Sequence, residues 1–522
     1  MKYFNVAGPC IEGIHYMLDA TARLHDELVE LINTNQYFVI HAARQTGKTT
    51  LLINFANQIN KEGKYYAVYC SLENAYVTPE PEQGIPTIIN SLQVDLDNYN
   101  LPYNEKFKED IDLNDYANAL RIALKNYCRR LDKPLIILFD EADCLSENTL
   151  LSFLRQLRNG YVNRAIAPFP ASVALVGMRN IRDYKAQIRE NQATLGTASP
   201  FNVITKSLSL RNFSKEEVNF LYQQHTEETG QIFEENAIEL AFEQTQGQPW
   251  LVNAIAREVV MEQLKKDYSI NITAAMVSKA IQTIILRRDV HIDQLLDKLK
   301  EKRVQKVIEQ MIMGEDAQME QISDDFNYVK DLGLIRLQDK AVVPGNPIYG
   351  EVIVRTLNYN EQMSLESNER FSDYNMPKYY KNDTVDMNLI LQDFQQFWRE
   401  NSKIWQERFQ YKEAAPHLIL QAFLQRVFNG GGDVYREMAT GRERLDLCIE
   451  YKDKKYPIEL KINRGKQSIA KGIEQTLRYM DTLGCSEGWL VVFDRNPKKS
   501  WSAKIYRKEE KIDGKTVNVF GC

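Results

Sequence analysis

The feature that most constrains this chain is a short stretch, HAARQTGKTTLL, that runs from an apolar segment straight into a helical pattern. Its AARQTGKT portion has the spacing GxxxxGK[ST], with Ala42 where the first glycine is usual. A strand, loop and helix in this order present backbone N–H groups at a helix N-terminus, which is a seat for phosphate. Ala42 suits that geometry provided its φ is negative. The expected nucleotide contacts are Ala43, Arg44, Gln45, Thr46, Gly47, Lys48, Thr49 and Thr50. Gly47 lets the backbone approach the phosphates, Lys48 is placed for the β and γ oxygens, and Thr49 for a Mg2+ ion.

A second element, PLIILFDEAD, ends an apolar strand pattern on Asp140 and Glu141. Open α/β sheets gather ligands at the C-terminal ends of their strands. Asp140 is expected in the Mg2+ shell, and Glu141 to orient or deprotonate the attacking water. Either element alone is common, as a helix start or a strand end. Together and in this order they define an ATP site.

Short apolar runs over 36–41, 65–71, 135–140 and 172–177 alternate with helical patterns, predicting a parallel, doubly wound sheet. With 522 residues the chain exceeds what a single core can organise, so two to four domains are expected. A 44% hydrophobic fraction, 26% charged residues and a mean hydropathy of −0.43 describe an ordinary globular protein. No apolar run approaches the roughly 20 residues of a membrane span. The opening MKYFNVAGPC lacks a secretory signal, so no membrane partner and a cytoplasmic location are expected. The seven cysteines include no CxxC pair, which fits neither a disulfide framework nor a zinc site. The net charge of −6 means that any nucleic-acid surface must be a local basic face.

After Lys206 the strand patterns stop and helices follow, including SKEEVNFLYQQH, where Ser214 and Glu217 are spaced as a capping box. From about His291 to Leu357 helices precede YVKDLGLIRLQDKAVVP, with Gly333 ending a helix and a turn at Asp339-Lys340, which suggests a winged helix. Polar, aperiodic sequence between about Asn358 and Asp383 reads as a linker. Beyond it, Met387, Ile390, Leu391, Phe394, Phe397 and Trp398 recur at helical spacing.

On these residues the first 360 or so positions resemble the AAA-like and STAND-related prokaryotic ATPases. The resemblance implies a P-loop ATPase domain over 1–206, a helical lid over 207–287, a winged helix over 288–360 and a linker over 361–385. GPCIEGIHYM looks like the segment that packs on the base, implicating His15 and Tyr16, for which an ordinary aromatic core is the other reading. VGMRN sets Arg179 where a sensor residue would meet the γ-phosphate. Arg155, Arg158 and Arg164 are alternatives that would act across a subunit interface in a homo-oligomer. GQPWLVN, with Gly247 and Pro249, looks like the lid motif of STAND proteins, and NPIYGEVI like the end of their winged helix.

The C-terminal GRERLDLCIEYKDKKYPIELKI reads as a hairpin. Period-two alternation sends Glu459 and Lys461 to one face, and pairing around the turn brings Asp446 near them. Two carboxylates with a neighbouring lysine form an oxygen-ligand site suited to metal-assisted phosphodiester hydrolysis. The other reading is an edge hairpin with solvated charges.

About 110 residues from Lys412 onward resemble the PD-(D/E)XK nuclease superfamily, which implies an α/β restriction-endonuclease-like domain over 386–522. By position the resemblance makes Asp446 and Glu459 ligands for Mg2+ or Mn2+, and Lys461 the catalytic lysine. It makes Glu413 the first-helix carboxylate, and Gln475 with Tyr479 a QxxxY element. Leu445 stands where the superfamily usually has proline. Lys461, Arg464, Lys466, Lys471 and Arg478 would form a basic face for DNA phosphates.

The combined expectation is an ATPase whose nucleotide state controls a DNA endonuclease, in phage defence or mobile-element biology. The alternatives are a non-cleaving nucleotide switch, and an adaptor that loads a protein partner.

Overall fold

A computed structural model describes residues 1–19, 21–78, 80–178, 204–287, 290–312, 323–338, 341–353, 356–357, 376–381, 384–408, 415–428, 433–440, 443–452, 454–463, 465–494, 496 and 498–522. They divide into two compact units: residues 1–293 with 319–348, and residues 294–318 with 349–522.

The first unit is organised by five parallel strands: β1 (Tyr37–His41), β2 (Tyr66–Ser71), β3 (Leu135–Asp140), β4 (Ser172–Gly177) and β5 (Ile204–Ser209), in the spatial order β2-β3-β4-β1-β5. β1, β3 and β4 are buried along their whole length, as central strands of a sheet covered on both faces must be. Alternate residues feed two cores. Tyr37, Val39, Ile137, Phe139 and Val173 join one core with residues of α3 (Pro81–Asn98), α4 (Ala119–Arg130) and α5 (Glu147–Asn163). Phe38, Ile40, Ile136, Leu138 and Ala174 join the other with residues of α1 (His25–Asn33) and α2 (Lys48–Glu62).

The four strands expected from the sequence are present, and β5 is an addition that runs past Lys206 to Ser209. Its ITKSLS sequence is mostly exposed or half-buried, as at a sheet edge, and lacks the apolar run that marks the central strands.

Helices α6 (Lys215–Thr229), α7 (Glu235–Thr245), α8 (Pro249–Arg257) and α9 (Ala274–Arg287) follow. The capping box at Ser214 and Glu217 is formed in both directions and satisfies two backbone donors at the start of α6. Helices α10 (Val290–Lys298) and α11 (Lys302–Ile312) come next, then α12 (Asp324–Asp331) and the antiparallel hairpin of β6 (Ile335–Gln338) and β7 (Ala341–Pro344). The expected turn at Asp339-Lys340 lies outside the described residues. α12 and the hairpin group with the first unit, whereas α11 groups with the second.

In the second unit, β8 (Tyr380–Lys381) and β9 (Thr384–Val385) precede α13 (Met387–Arg408) and α14 (Ala415–Phe428). The six-stranded sheet that follows comprises β10 (Asp433–Thr440), β11 (Glu443–Tyr451), β12 (Lys454–Ile462), β13 (Glu487–Phe493), β14 (Tyr506–Ile512) and β15 (Lys515–Gly521), in the order β10-β11-β12-β13-β15-β14. β12, β13 and β15 are mutually parallel, with α15 (Lys466–Leu483) as the crossover from β12 to β13. The hairpin of β11 and β12 matches the sequence expectation, with α14 before it and α15 and β13 after it. β10 is an addition, in the glycine-rich approach to the hairpin. The stripe from Met387 to Trp398 is buried, and Phe394 meets Phe423 and Phe493 with ring centroids 5.3 and 6.1 Å apart. No helix among the described residues is long and apolar enough to cross a membrane.

Candidate functional site

The loop between β1 and α2 takes the form the GxxxxGKT spacing requires. Ala42 keeps a negative φ, while Gln45 and Gly47 adopt φ of 57° and 89°. Gly47 thereby caps the N-terminus of α2 in the left-handed region, which glycine enters at little cost. Lys48 is buried, and its Nζ donates to the carbonyls of Ala42 (3.1 Å) and Ala43 (3.0 Å), so the ammonium sits inside the loop. Burial lowers its pKa, opposed by the charges of Glu141, Asp140 and Asp143.

Because β4 lies between β1 and β3, the end of β3 faces the loop across one strand. Thr49 Oγ1 donates to Asp140 Oδ2 at 2.7 Å, and Tyr69 donates to the same oxygen at 3.4 Å. Asp140 Oδ1 accepts the Glu141 N–H at 2.9 Å, and Glu141 itself holds a φ of 55°. Such strain in a non-glycine residue is kept at sites that over-determine it. Burial raises the pKa of Asp140, opposed first by the Thr49 hydrogen bond. Burial also raises that of Glu141, reinforced by Asp140 and Asp143. A carboxyl with raised proton affinity beside a fixed cation has the character of a general base. The Thr49 hydroxyl and the Asp140 carboxylate offer two hard oxygen donors at one point, a set that fits Mg2+.

Thr50 Oγ1 accepts the Cys10 N–H at 3.0 Å, which brings the N-terminal segment to the start of α2. Within that segment His15 Nδ1 accepts the Ile11 N–H at 2.8 Å, and burial lowers the pKa of the imidazole. Tyr16 is buried in an aromatic cluster with Phe4 and His225, its hydroxyl 3.2 Å from His225 Nδ1. Pro249 opens α8 at its first turn. Arg179 lies outside the described residues. Arg164 stacks over Tyr161 at 3.9 Å and donates to Asn35 O at 2.6 Å, at the end of β1 opposite the phosphate loop. Arg155 is exposed and Arg158 half-buried.

Several residues at this site carry no local sequence signal. Asp143 accepts the Met178 N–H with both oxygens, at 3.3 and 3.2 Å, and so fixes the end of β4 beside the loop. His41 Nε2 lies 3.6 Å from Asp331 Oδ1, linking the root of the loop to α12. Arg23 donates to Thr46 O at 2.9 Å. Asp143 closes PLIILFDEAD, His41 opens HAARQTGKTTLL and Gln248 lies within GQPWLVN, whereas Arg23 lies in no motif.

In the second unit the alternation along β12 places Glu459 and Lys461 together, with Lys461 Nζ donating to Glu459 Oε1 at 2.6 Å. β11 pairs with β12 up to Leu447 and Ile458, so Asp446 comes next in line opposite Glu459. There its Oδ2 accepts the Leu460 N–H at 2.8 Å, replacing a ladder hydrogen bond. Glu459 is 1% exposed, and its Oε2 has no hydrogen-bond partner. Burial, then the Asp446 charge, pushes its carboxyl up to about 8 against the opposing pull of Lys461. A buried carboxylate oxygen left unpaired beside a second carboxylate fits an oxygen-liganded divalent cation. Among the described residues no group of three or more His, Cys, Asp or Glu side chains forms a metal cluster. Glu413 lies outside them. Gln475 is half-buried on α15, one turn before Tyr479, which packs against Cys448. Of the basic face, Lys471 and Arg478 are exposed, with Arg478 paired to Glu474 at 2.9 Å.

Comparison with known proteins bears on the two units unequally. Residues 388–496 match a domain of unknown function (DUF8371). No curated protein matches the chain. Among solved structures, the Walker-type ATPase PABY2304 of Pyrococcus abyssi is similar at 15% identity, over 67% of this chain and 99% of its own, with a TM-score of 0.45. A Thermotoga maritima RuvB mutant gives 13%, 64%, 94% and 0.34 for the same quantities. Cdc6p of Pyrobaculum aerophilum gives 12%, 64%, 93% and 0.35. Residues 22–354, more than half of the chain, match the AAA-like domain family, and with the phosphate loop and acidic strand end in place the chain belongs to that family of P-loop ATPases.

Proposed function

We propose that this P-loop ATPase uses its nucleotide state to control a metal-dependent DNA endonuclease in its C-terminal domain, with an ATPase domain over 1–206, a lid over 207–287 and a winged helix over 288–360 between the two. ATP is the nucleotide. Thr49 and Asp140 would hold Mg2+, which when bound neutralises charge on the β and γ phosphates. Lys48 supplies a fixed cation at the phosphate seat, and Glu141 takes the proton of the attacking water. Arg179 is the proposed sensor, and His15 and Tyr16 the proposed contacts on the base side.

The observation that carries the nuclease reading is the Asp446, Glu459 and Lys461 constellation, with a 2.6 Å lysine–carboxylate contact and one unpaired buried carboxylate oxygen. Asp446 and Glu459 would hold Mg2+ or Mn2+, which supplies Lewis acidity toward a phosphodiester. Lys461 orients the nucleophilic water, with Glu413 and Gln475 as supporting polar groups. The test is cleavage of linear, circular and single-stranded DNA by the full chain with Mg2+ or Mn2+. Loss of cutting in Lys461→Ala, with ATP hydrolysis intact, is the expected result. Undiminished cutting in that variant refutes the assignment.

A second reading, a nucleotide switch that grips DNA or a protein partner without cutting it, is favoured by one observation. Asp446 Oδ2 and Glu459 Oε1 are already engaged, by the Leu460 amide and Lys461. Absence of cutting on every substrate by a folded, ATP-binding chain selects it.

A further inference from the structure

The phosphate loop is held from behind by two side chains that none of its motifs contains. Arg23 Nη1 donates to Thr46 O and to Arg211 O, each at 2.9 Å. Gln248 Nε2 reaches Arg44 O and Gln45 O, each at 3.4 Å. Three consecutive loop carbonyls, those of Arg44, Gln45 and Thr46, are therefore drawn toward these side chains. A trans peptide unit sends its N–H the opposite way from its C=O. The amides of Gln45, Thr46 and Gly47 are thus turned toward the other side of the loop, the arrangement of an anion-binding nest. The positive φ of Gln45 and Gly47 belongs to the same arrangement.

We infer that Arg23 and Gln248 are positioning residues that set the amide cradle of the phosphate loop, so that the loop binds nucleotide tightly only when the lid is docked on it. Both anchors run into the lid. Arg211 and Phe213 lie just before α6, and the Arg23 guanidinium stacks over the Phe213 ring at 5.1 Å. Phe213 N–H donates to Gly247 O at 2.9 Å. At Gly247 the φ is 69°, and a Cβ there would fall 1.9 Å from Phe213 O, so the contact admits only glycine. Gln248 then caps α8, its Oε1 accepting the Leu251 N–H at 2.6 Å. A closed circuit runs from loop to Arg23, to the lid entry, to Gly247 and Gln248, and back to the loop.

The charge of Arg23 adds to this. The nearby Glu217 is bound bidentately by Arg211, at 2.6 and 2.8 Å, while Arg23 donates to the carbonyls of Thr46 and Arg211. Burial lowers its pKa to about 10, which leaves it a cation at neutral pH. A buried cation beside Gly47 favours a polyanion on the loop.

The inference rests on the nucleotide reading of the loop, which Lys48→Ala tests separately. The experiment titrates the full-length chain with fluorescent ATP and ADP, alongside thermal unfolding without nucleotide and limited proteolysis of the lid. Arg23→Gln is expected to weaken both nucleotides by about tenfold or more. Arg23→Lys should recover only part of this, because an ammonium lacks the planar fork that spans two carbonyls. Gln248→Leu should weaken binding by roughly twofold to fivefold. Nucleotide should protect the lid from protease less in all three than in the parent chain. If Arg23→Gln fails to fold, Arg23→Lys and Gln248→Leu decide. Parental affinity and lid protection in both, or lost stability without lost affinity in Arg23→Gln, overturns the inference. Undiminished binding by Lys48→Ala would instead refute the nucleotide reading itself.

Discussion

The nucleotide site collects charge at the end of a sheet strand and the C-terminal carboxylate pair collects it within two paired strands, and the two are built differently. At the first, Asp140 accepts from Thr49, Tyr69 and the Glu141 amide, and Lys48 sits within the loop it serves. The parts come from the N-terminal segment, β1, β3, β4 and the helices that follow β5, far apart in the chain. At the second, one hairpin supplies Asp446, Glu459 and Lys461, and one carboxylate oxygen is left unpaired. At the first, both oxygens of the Asp140 carboxylate are satisfied by groups that the fold assembles. The second is a local concentration of acid in which one buried carboxylate oxygen has no hydrogen-bond partner.

Removing a central charge should separate the two sites most sharply. Lys48→Ala is expected to lower ATP turnover by roughly a hundredfold or more, measured by phosphate release. Glu141→Gln should lower kcat by about a hundredfold while fluorescent ATP still binds, which distinguishes a base from a binding group. At the second site, Lys461→Ala should abolish metal-dependent DNA cutting and leave ATP hydrolysis within about twofold.

A pH titration sharpens the contrast further. Glu459 has its folded-state pKa raised from 4.5 to about 8, so the folded domain holds that proton more tightly than the unfolded chain does. Its contribution to stability is fully present below about 4.5 and is lost as pH rises through about 8. The thermal stability of the second unit should therefore fall as pH rises over that window. Glu459→Gln should flatten the dependence, and Mn2+ should restore stability at the high-pH end. The smallest expected effect is Gly247→Ala, which should cost about 2 kcal/mol of stability through backbone strain and overlap with Phe213.

The same contrast governs how much could be read in advance. β1 and β3 were legible because central parallel strands are continuous apolar runs, and Lys48, Thr49, Asp140 and Glu141 occupy fixed offsets from them. Glu459 and Lys461 were legible because a period of two needs only local sequence. β5 was hidden because its ITKSLS lies mostly exposed or half-buried at an edge. Arg23 was hidden for a different reason. It sits in a single turn of 3-10 helix, and its role depends on carbonyls at Thr46 and Arg211 that only tertiary folding brings to it. Backbone acceptors leave no residue-type signature. Asp143 and His41 likewise act on groups contributed by other segments.

The most direct test of nucleotide control over the C-terminal site is DNA cleavage by the full chain with Mn2+, with and without ATP, beside Lys48→Ala and Lys461→Ala. The account predicts cutting by the parent chain that changes with ATP, loses that response in Lys48→Ala, and disappears in Lys461→Ala. Cutting that survives in Lys461→Ala, or that is the same with and without ATP in the parent chain, would contradict it.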